Sequence, residues 1–211
     1  MHKLITHALI PNSKVNGPGS RTTLWTQGCT KACPGCFNPE TWTKKGTEEN
    51  IEDVYNSIKN YIDNGDTGIT ITGGDPLEQP EALLSLLKMI NENLLDKLPD
   101  GIIVFTGYTL QEIINLPSDS ARKCLDYIDL LIDGRYEKDN QIHSQLSGSA
   151  NQNFHFNCTI GRGESRIPKD TIMIDHGVEL HECWLGDDVF HITGFPRIDR
   201  AFFRNKGIEI K

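Results

Sequence analysis

Short apolar runs that end at glycine alternate along this chain with segments of helical periodicity, and this alternation limits the fold more than any other feature. From Glu49 to Asp63 the residues Ile51, Val54, Tyr55, Ile58 and Ile62 recur at helical spacing, which predicts a helix with one buried face, closed by Gly65. The β-branched run Gly68-Ile-Thr-Ile-Thr72 reads as a buried strand and leads at once into Gly73-Gly74-Asp75-Pro76. A second helix is expected from Gln79, with Pro80 in its first turn, through Leu83, Leu84, Leu87 and Ile90. A buried strand over Ile102–Thr106 then runs into Gly107-Tyr108. Helical segments follow over Leu110–Leu116 and Ser120–Tyr127, and another strand over Asp129–Asp133.

Upstream, Leu4–Ile10 and Thr22–Gln27 read as strands separated by the turn-rich stretch Pro11–Ser20. Strands alternating with helices imply an α/β fold with a mainly parallel sheet. An open doubly wound sheet and a partial barrel both satisfy that pattern. Beyond Ile160 the helical rhythm fades into short strands at Thr171–Asp175, Val178–Cys183 and Val189–Thr193, with a terminal helix over Pro196–Asn205. The expected organisation is a core over residues 1–160 and a small strand-rich extension over residues 161–211 packed on it. A chain of 211 residues is long enough for one sizeable core.

The formal net charge of −8, with no local run of Lys or Arg, argues against nucleic acid and anionic membranes as partners. No apolar run approaches the roughly 20 residues of a membrane span. The first residues, Met-His-Lys-Leu-Ile-Thr-His7, lack the pattern of a secretory leader, which points to the cytoplasm. Six cysteines are too few for a disulfide scaffold. In a reducing compartment three of them close together point to metal or redox chemistry.

Those three lie in Gly28-Cys29-Thr-Lys-Ala-Cys33-Pro-Gly-Cys36-Phe37, directly after a predicted strand end, where α/β domains carry their chemistry. Three thiolates at this spacing can hold one iron–sulfur cubane and leave its fourth iron open to substrate. A zinc knuckle or an electron-transfer cluster is the alternative and needs a fourth ligand, for which His2 and His7 are upstream candidates. Cys124, Cys158 and Cys183 are scattered and read as core thiols. His176, His181, Cys183 and His191 fit no common ligand spacing and read as polar residues on strand faces.

The chain resembles the radical S-adenosylmethionine (SAM) superfamily, and within it the activating enzymes of anaerobic ribonucleotide reductase and related glycyl radical enzymes. The residues that carry this are Gln27-Gly-Cys-Thr-Lys-Ala-Cys-Pro-Gly-Cys-Phe-Asn-Pro-Glu-Thr-Trp42, Gly73-Gly74-Asp75-Pro76-Leu77, Thr106-Gly107-Tyr108, Asp129-Leu-Leu-Ile-Asp133-Gly134 and Gly148-Ser-Ala-Asn151-Gln152. They occur in family order over about two thirds of the chain. The resemblance implies a partial (β/α) barrel, a [4Fe–4S] cluster on Cys29, Cys33 and Cys36, and SAM chelated at the open iron. Reductive cleavage of SAM would give a 5′-deoxyadenosyl radical that takes a hydrogen atom from a backbone glycine of a partner protein. A reductant such as flavodoxin or ferredoxin is implied as electron donor.

The same resemblance assigns SAM-facing roles. Gly73, Gly74 and Asp75 form the turn that receives its amino group, and bare backbone at a strand end suits such an approach. Phe37 would offer a surface to adenine, with Gly35 leaving room beside the cluster; Phe37 is equally a core residue by composition. Asp133 and Arg135 would face the ribose, the carboxylate or a bound cation, although Asp-Gly-Arg is also an ordinary surface turn. Asn151 and Gln152 would orient the nucleotide end, or be solvated loop residues.

Two other readings share these residues. One is a radical SAM enzyme acting on a small molecule or peptide, the 7-carboxy-7-deazaguanine synthase type included. The other is a non-catalytic iron–sulfur or zinc module. The sequence after Phe154 departs from the short reductase activases, while Thr193-Gly-Phe-Pro196 resembles the tail of longer relatives.

Overall fold

A computed structural model describes residues 2–142, 144, 146–156 and 165–167, together with the backbone of two strands at 181–186 and 189–194. The elements, in chain order, are β1 (Lys3–Ser13), β2 (Arg21–Thr26), β3 (Thr47–Asn50), α1 (Ile51–Asp63), β4 (Gly68–Gly73), α2 (Pro80–Asn93), β5 (Ile102–Thr106), α3 (Leu110–Asn115), α4 (Asp119–Cys124), β6 (Leu130–Asp133), β7 (Asn153–Phe156), β8 (His181–Gly186) and β9 (Val189–Gly194). Seven strands form one mixed sheet in the order β3-β1-β2-β4-β5-β6-β7, and β8 pairs with β9 in a separate hairpin.

The central strands β2, β4, β5 and β6 run parallel, as the alternation predicts. The flanks do not: β1 pairs antiparallel with both β2 and β3, and β7 lies antiparallel to β6. The reason lies in the connections, because β1 reaches β2 through a short turn-rich loop rather than a crossover helix. Glu49, expected to open a helix, instead lies in an edge strand, and α1 begins at Ile51 behind Asn50 in extended conformation. Glu52 and Asp53 occupy the first turn of α1, where the helix dipole favours negative charge.

Strand alternation sorts the sheet into two faces. Leu24, Ile69, Ile71, Val104 and Leu131 pack against Ile58 of α1, Leu83 and Leu87 of α2, Ile113 of α3 and Ala121 of α4 in one apolar core. Each fully buried side chain of this kind contributes about 1.5–3 kcal/mol. The other face carries a smaller cluster of Ile103, Leu130, Ile132, Leu146 and Ile167, flanked by Phe105, Phe154 and Phe156. Among the described residues all four helices therefore cover one face, which is incompatible with a doubly wound sheet having helices on both.

Residues 165–167 lie against the sheet, Arg166 pairing with Asp129 at 2.6 Å and Ile167 being buried in the second cluster. β9 matches the strand expected over Val189–Thr193, whereas β8 shares only residues 181–183 with the one expected over Val178–Cys183 and runs on to Gly186; residues 171–175 and the expected helix at 196–205 lie outside the described residues. No described helix is long and apolar enough to cross a membrane.

Candidate functional site

The carboxyl ends of the parallel strands meet in a cleft of about 160 Å³. Cys29, Cys33 and Cys36 line it together with Phe37, Gly73 and Gly74, so residues from two separate motifs converge on one cavity. Trp25, Thr72 and Phe105 rise into it from β2, β4 and β5, all on the face that carries no helix. Gly134, Tyr136 and Gln152 close the far side. Trp25, Phe105 and Tyr136 were not singled out by motif; the period-two alternation of the strands is the signal that finds the first two.

The cysteine loop is shaped by the backbone beneath it. Gly28 N–H donates to the Thr41 carbonyl at 2.7 Å and Cys29 N–H to the Trp42 carbonyl at 3.0 Å, which ties both ends of the loop together. Gln27 reinforces the tie, its Nε2 donating to the Glu40 and Thr43 carbonyls at 2.9 and 2.7 Å. Cys36 N–H donates to the Cys33 carbonyl at 3.0 Å in a tight turn that contains Gly35 at φ +79°. Phe37 stacks edge to face on Tyr136 with ring centroids 5.4 Å apart.

The thiols suit an iron–sulfur cluster. Burial pushes Cys29 and Cys36 above the ordinary thiol pKa, so both stay protonated until a cation draws the protons off. Asn38 N–H points at Cys36 Sγ at 3.4 Å, a donor placed for a cluster-bound thiolate. Among the described residues no group of His, Cys, Asp or Glu converges tightly enough for a single metal ion. A cubane differs, since each thiolate takes its own iron and the sulfurs stand apart. His7, a candidate fourth ligand, instead shares a hydrogen bond with Gln27 Oε1 at 3.0 Å.

The other expected site residues stand behind the cleft or at its rim. Asp75 is buried, accepting from Leu77 N–H at 3.1 Å, Thr106 Oγ1 at 2.9 Å and Gly107 N–H at 3.0 Å. Burial pushes its carboxyl up to about 6 against Lys31 and those donors. Asp133 ends β6 with both oxygens engaged: Oδ1 by Asn153 Nδ2 at 2.9 Å, Oδ2 by Leu110 N–H at 2.6 Å and His155 Nε2 at 2.9 Å. Arg135 lies exposed in a bidentate pair with Glu112, both contacts at 3.0 Å. Asn151 donates to the Arg135 carbonyl at 2.7 Å, while its buried Oδ1 has no partner among the described residues. Cys124 is buried in the helix-side core; the side chains of Cys158, Cys183, His176, His181 and His191 lie outside the described residues.

Three half-buried thiols over a glycine turn, at the carboxyl edge of a parallel sheet, define an α/β protein built around a single iron–sulfur cluster. Residues 15–155 match the family of the 4Fe-4S single cluster domain. An anaerobic ribonucleoside-triphosphate reductase-activating protein of Pasteurella multocida is 39% identical over 155 residues, covering 67% of this chain and 90% of that protein. Proteins of the same name from Vibrio cholerae and Escherichia coli K12 are 35% and 34% identical, each match covering 71% of this chain and 96% of the relative. The chain belongs to the family of the anaerobic ribonucleoside-triphosphate reductase-activating proteins, and it is longer than these three members by a segment they lack.

Proposed function

We propose that this protein is a radical SAM activase that generates a glycyl radical on an anaerobic ribonucleoside-triphosphate reductase. The observation that carries this is the convergence of Cys29, Cys33 and Cys36 with Gly73 and Gly74 on one cleft. When bound, the cluster supplies an electron to the SAM sulfonium, whose cleavage yields methionine and a 5′-deoxyadenosyl radical able to take hydrogen from a partner's glycine. In this reading the core over residues 1–160 is a partial (β/α) barrel, and the helix-free face is its interior.

The chain's own groups do the positioning. Gly73 and Gly74 leave backbone bare for a polar ligand group. Phe37, braced on Tyr136, and Trp25 exclude water with their apolar faces. The orphan Oδ1 of Asn151, next to Gly134, is an acceptor for a ligand hydroxyl or amine. Asp75, Asp133 and Arg135 act through the turns they brace. The protein works in the cytoplasm with a flavodoxin- or ferredoxin-type reductant.

The segment absent from the relatives favours one other reading, in which the same cleavage serves a small molecule or peptide. Anaerobic reconstitution followed by reduction with SAM should yield 5′-deoxyadenosine, and Cys33→Ala should abolish it. Adding the reductase should then produce a glycyl radical doublet in electron paramagnetic resonance. Formation of 5′-deoxyadenosine without that doublet supports the second reading; absence of both leaves a non-catalytic cluster module.

A further inference from the structure

Lys31 lies between the first two cysteines, yet its side chain turns inward. It is 6% exposed, with Nζ 3.0 Å from Glu78 Oε1 and 3.3 Å from the centroid of the Tyr108 ring. Lysine is among the side chains least often buried, because a desolvated ammonium is costly unless it is paired. Here the pairing is dense. The same Glu78 oxygen accepts from Thr30 N–H at 3.3 Å, from the Thr30 hydroxyl and from the Tyr108 hydroxyl at 3.3 Å. Two residues of the cysteine loop, the turn after β4 and the turn after β5 thus close on one carboxylate oxygen.

The backbone beside this cluster is under constraint. Ala32 has φ +46°, a left-handed conformation that non-glycine residues adopt only where their surroundings hold them. Lys31 is the adjacent residue, anchored at its far end. Gly107 leaves room for it: a Cβ there would sit 2.9 Å from Lys31 Cγ. The ammonium is thus held between a carboxylate and an aromatic face, at the edge of the cleft that the three thiols line.

We propose that Lys31 is a positioning residue for the iron–sulfur centre: gripped by Glu78 and Tyr108, it locks the three-thiol loop onto the turns after β4 and β5 and fixes a cation beside the cluster. This rests on the reading of Cys29, Cys33 and Cys36 as the cluster ligands. The lock acts in the metal-free chain, where it holds the loop in shape before iron arrives. The fixed charge acts in the loaded protein, where an ammonium favours the added electron and an uncompensated Glu78 disfavours it.

Three variants test it: Lys31→Met, Lys31→Arg and Glu78→Gln. In the reduced, metal-free protein, alkylation by iodoacetamide should accelerate several-fold at Cys29 and Cys33 in Lys31→Met. Lys31→Arg, which keeps the charge and the aromatic stack, should return the rates towards wild type. Protection of buried Cys124 reports an intact fold; a variant that exposes it is replaced in the comparison by Glu78→Gln, which should accelerate the same two sites. In reconstituted protein the midpoint potential should fall in Lys31→Met, stay close to wild type in Lys31→Arg and rise in Glu78→Gln. Unchanged alkylation in both Lys31→Met and Glu78→Gln, or potentials that move in the same direction in the two, overturns the proposal. Failure of the wild-type protein to form a cluster would count against the proposed function instead, and the alkylation rates would still judge the lock.

Discussion

The backbone of Gly74 lies directly against that of Gly28: Asp75 N–H donates to the Gly28 carbonyl at 2.8 Å, and a Cβ on Gly74 would overlap the same carbonyl. The turn after β4 and the start of the cysteine loop are thus one surface, and Gly74 N–H extends it by donating to the Thr26 carbonyl at 2.8 Å. Gly74→Ala forces two main chains apart, and backbone cannot swing aside as a flexible side chain can. Such overpacking costs about 1–3 kcal/mol. The variant should melt lower than wild type and bind less iron per chain on reconstitution. Thermal denaturation and iron analysis check both, and wild-type iron content would show that the two turns need not touch.

Cysteine position, not cysteine count, should govern cluster content. Alanine at Cys29, Cys33 or Cys36 should each abolish the broad visible absorbance of a [4Fe–4S] centre. Cys124→Ala should leave it intact, because that thiol is buried among the helices, with burial pushing its pKa up to about 12. Its loss removes one small buried group, at about 1 kcal/mol. Absorbance spectra and urea melts of the four variants separate the two effects.

The parts visible in the sequence are those whose signal is local. Helical periodicity marked Ile51 to Ile62 because the buried face repeats within a single element. The thiol spacing marked the loop because its three anchors fall within eight residues, 29 to 36. β3 escaped because Thr47-Glu-Glu-Asn50 carries no apolar side chain; it is a strand because β1 offers it an edge. The grip on Lys31 escaped for a different reason, since Glu78 and Tyr108 are distant in sequence and only the parallel order of β2, β4 and β5 brings them together. Asp133 was legible as a buried carboxylate needing partners, but not the identity of those partners.

At the opposite end of the sheet, Arg21 is fully buried and its guanidinium serves five acceptors: the Pro18, Ile69, Asp100 and Gly101 carbonyls and Thr70 Oγ1, at 2.6–2.9 Å. Burial lowers its pKa to about 10, offset in part by Asp100, Asp129 and Asp66, so it stays charged at neutral pH. Arg21→Met should leave several buried carbonyls without donors, at about 3–5 kcal/mol. For a chain of this size the melting temperature should fall by roughly 6–20 °C. Calorimetry of the metal-free protein checks it; a shift below about 2 °C would mean that water replaces the guanidinium.

Asp133 gives the protein an acid-sensitive joint between α3, β6 and β7. Burial opposes its charge, but hydrogen bonds from Asn153, Leu110 N–H and His155 outweigh that and hold the carboxyl below the ordinary aspartate range. A carboxyl with a depressed folded-state pKa binds fewer protons folded than unfolded, so its contribution is complete above the unfolded value near about 4 and is lost as pH falls through the folded one. Asp133→Asn keeps an oxygen for Leu110 N–H and His155 but sets an amide donor against that of Asn153, at about 1–3 kcal/mol. At pH 7 the variant should therefore unfold at lower urea than wild type, and the gap should narrow as pH drops below about 4 and close once it passes the depressed folded-state value, where the wild-type carboxyl is itself protonated. Urea midpoints of both proteins across that range measure the gap directly, and a gap that stays constant with pH would show that the loss at pH 7 is one of shape rather than charge.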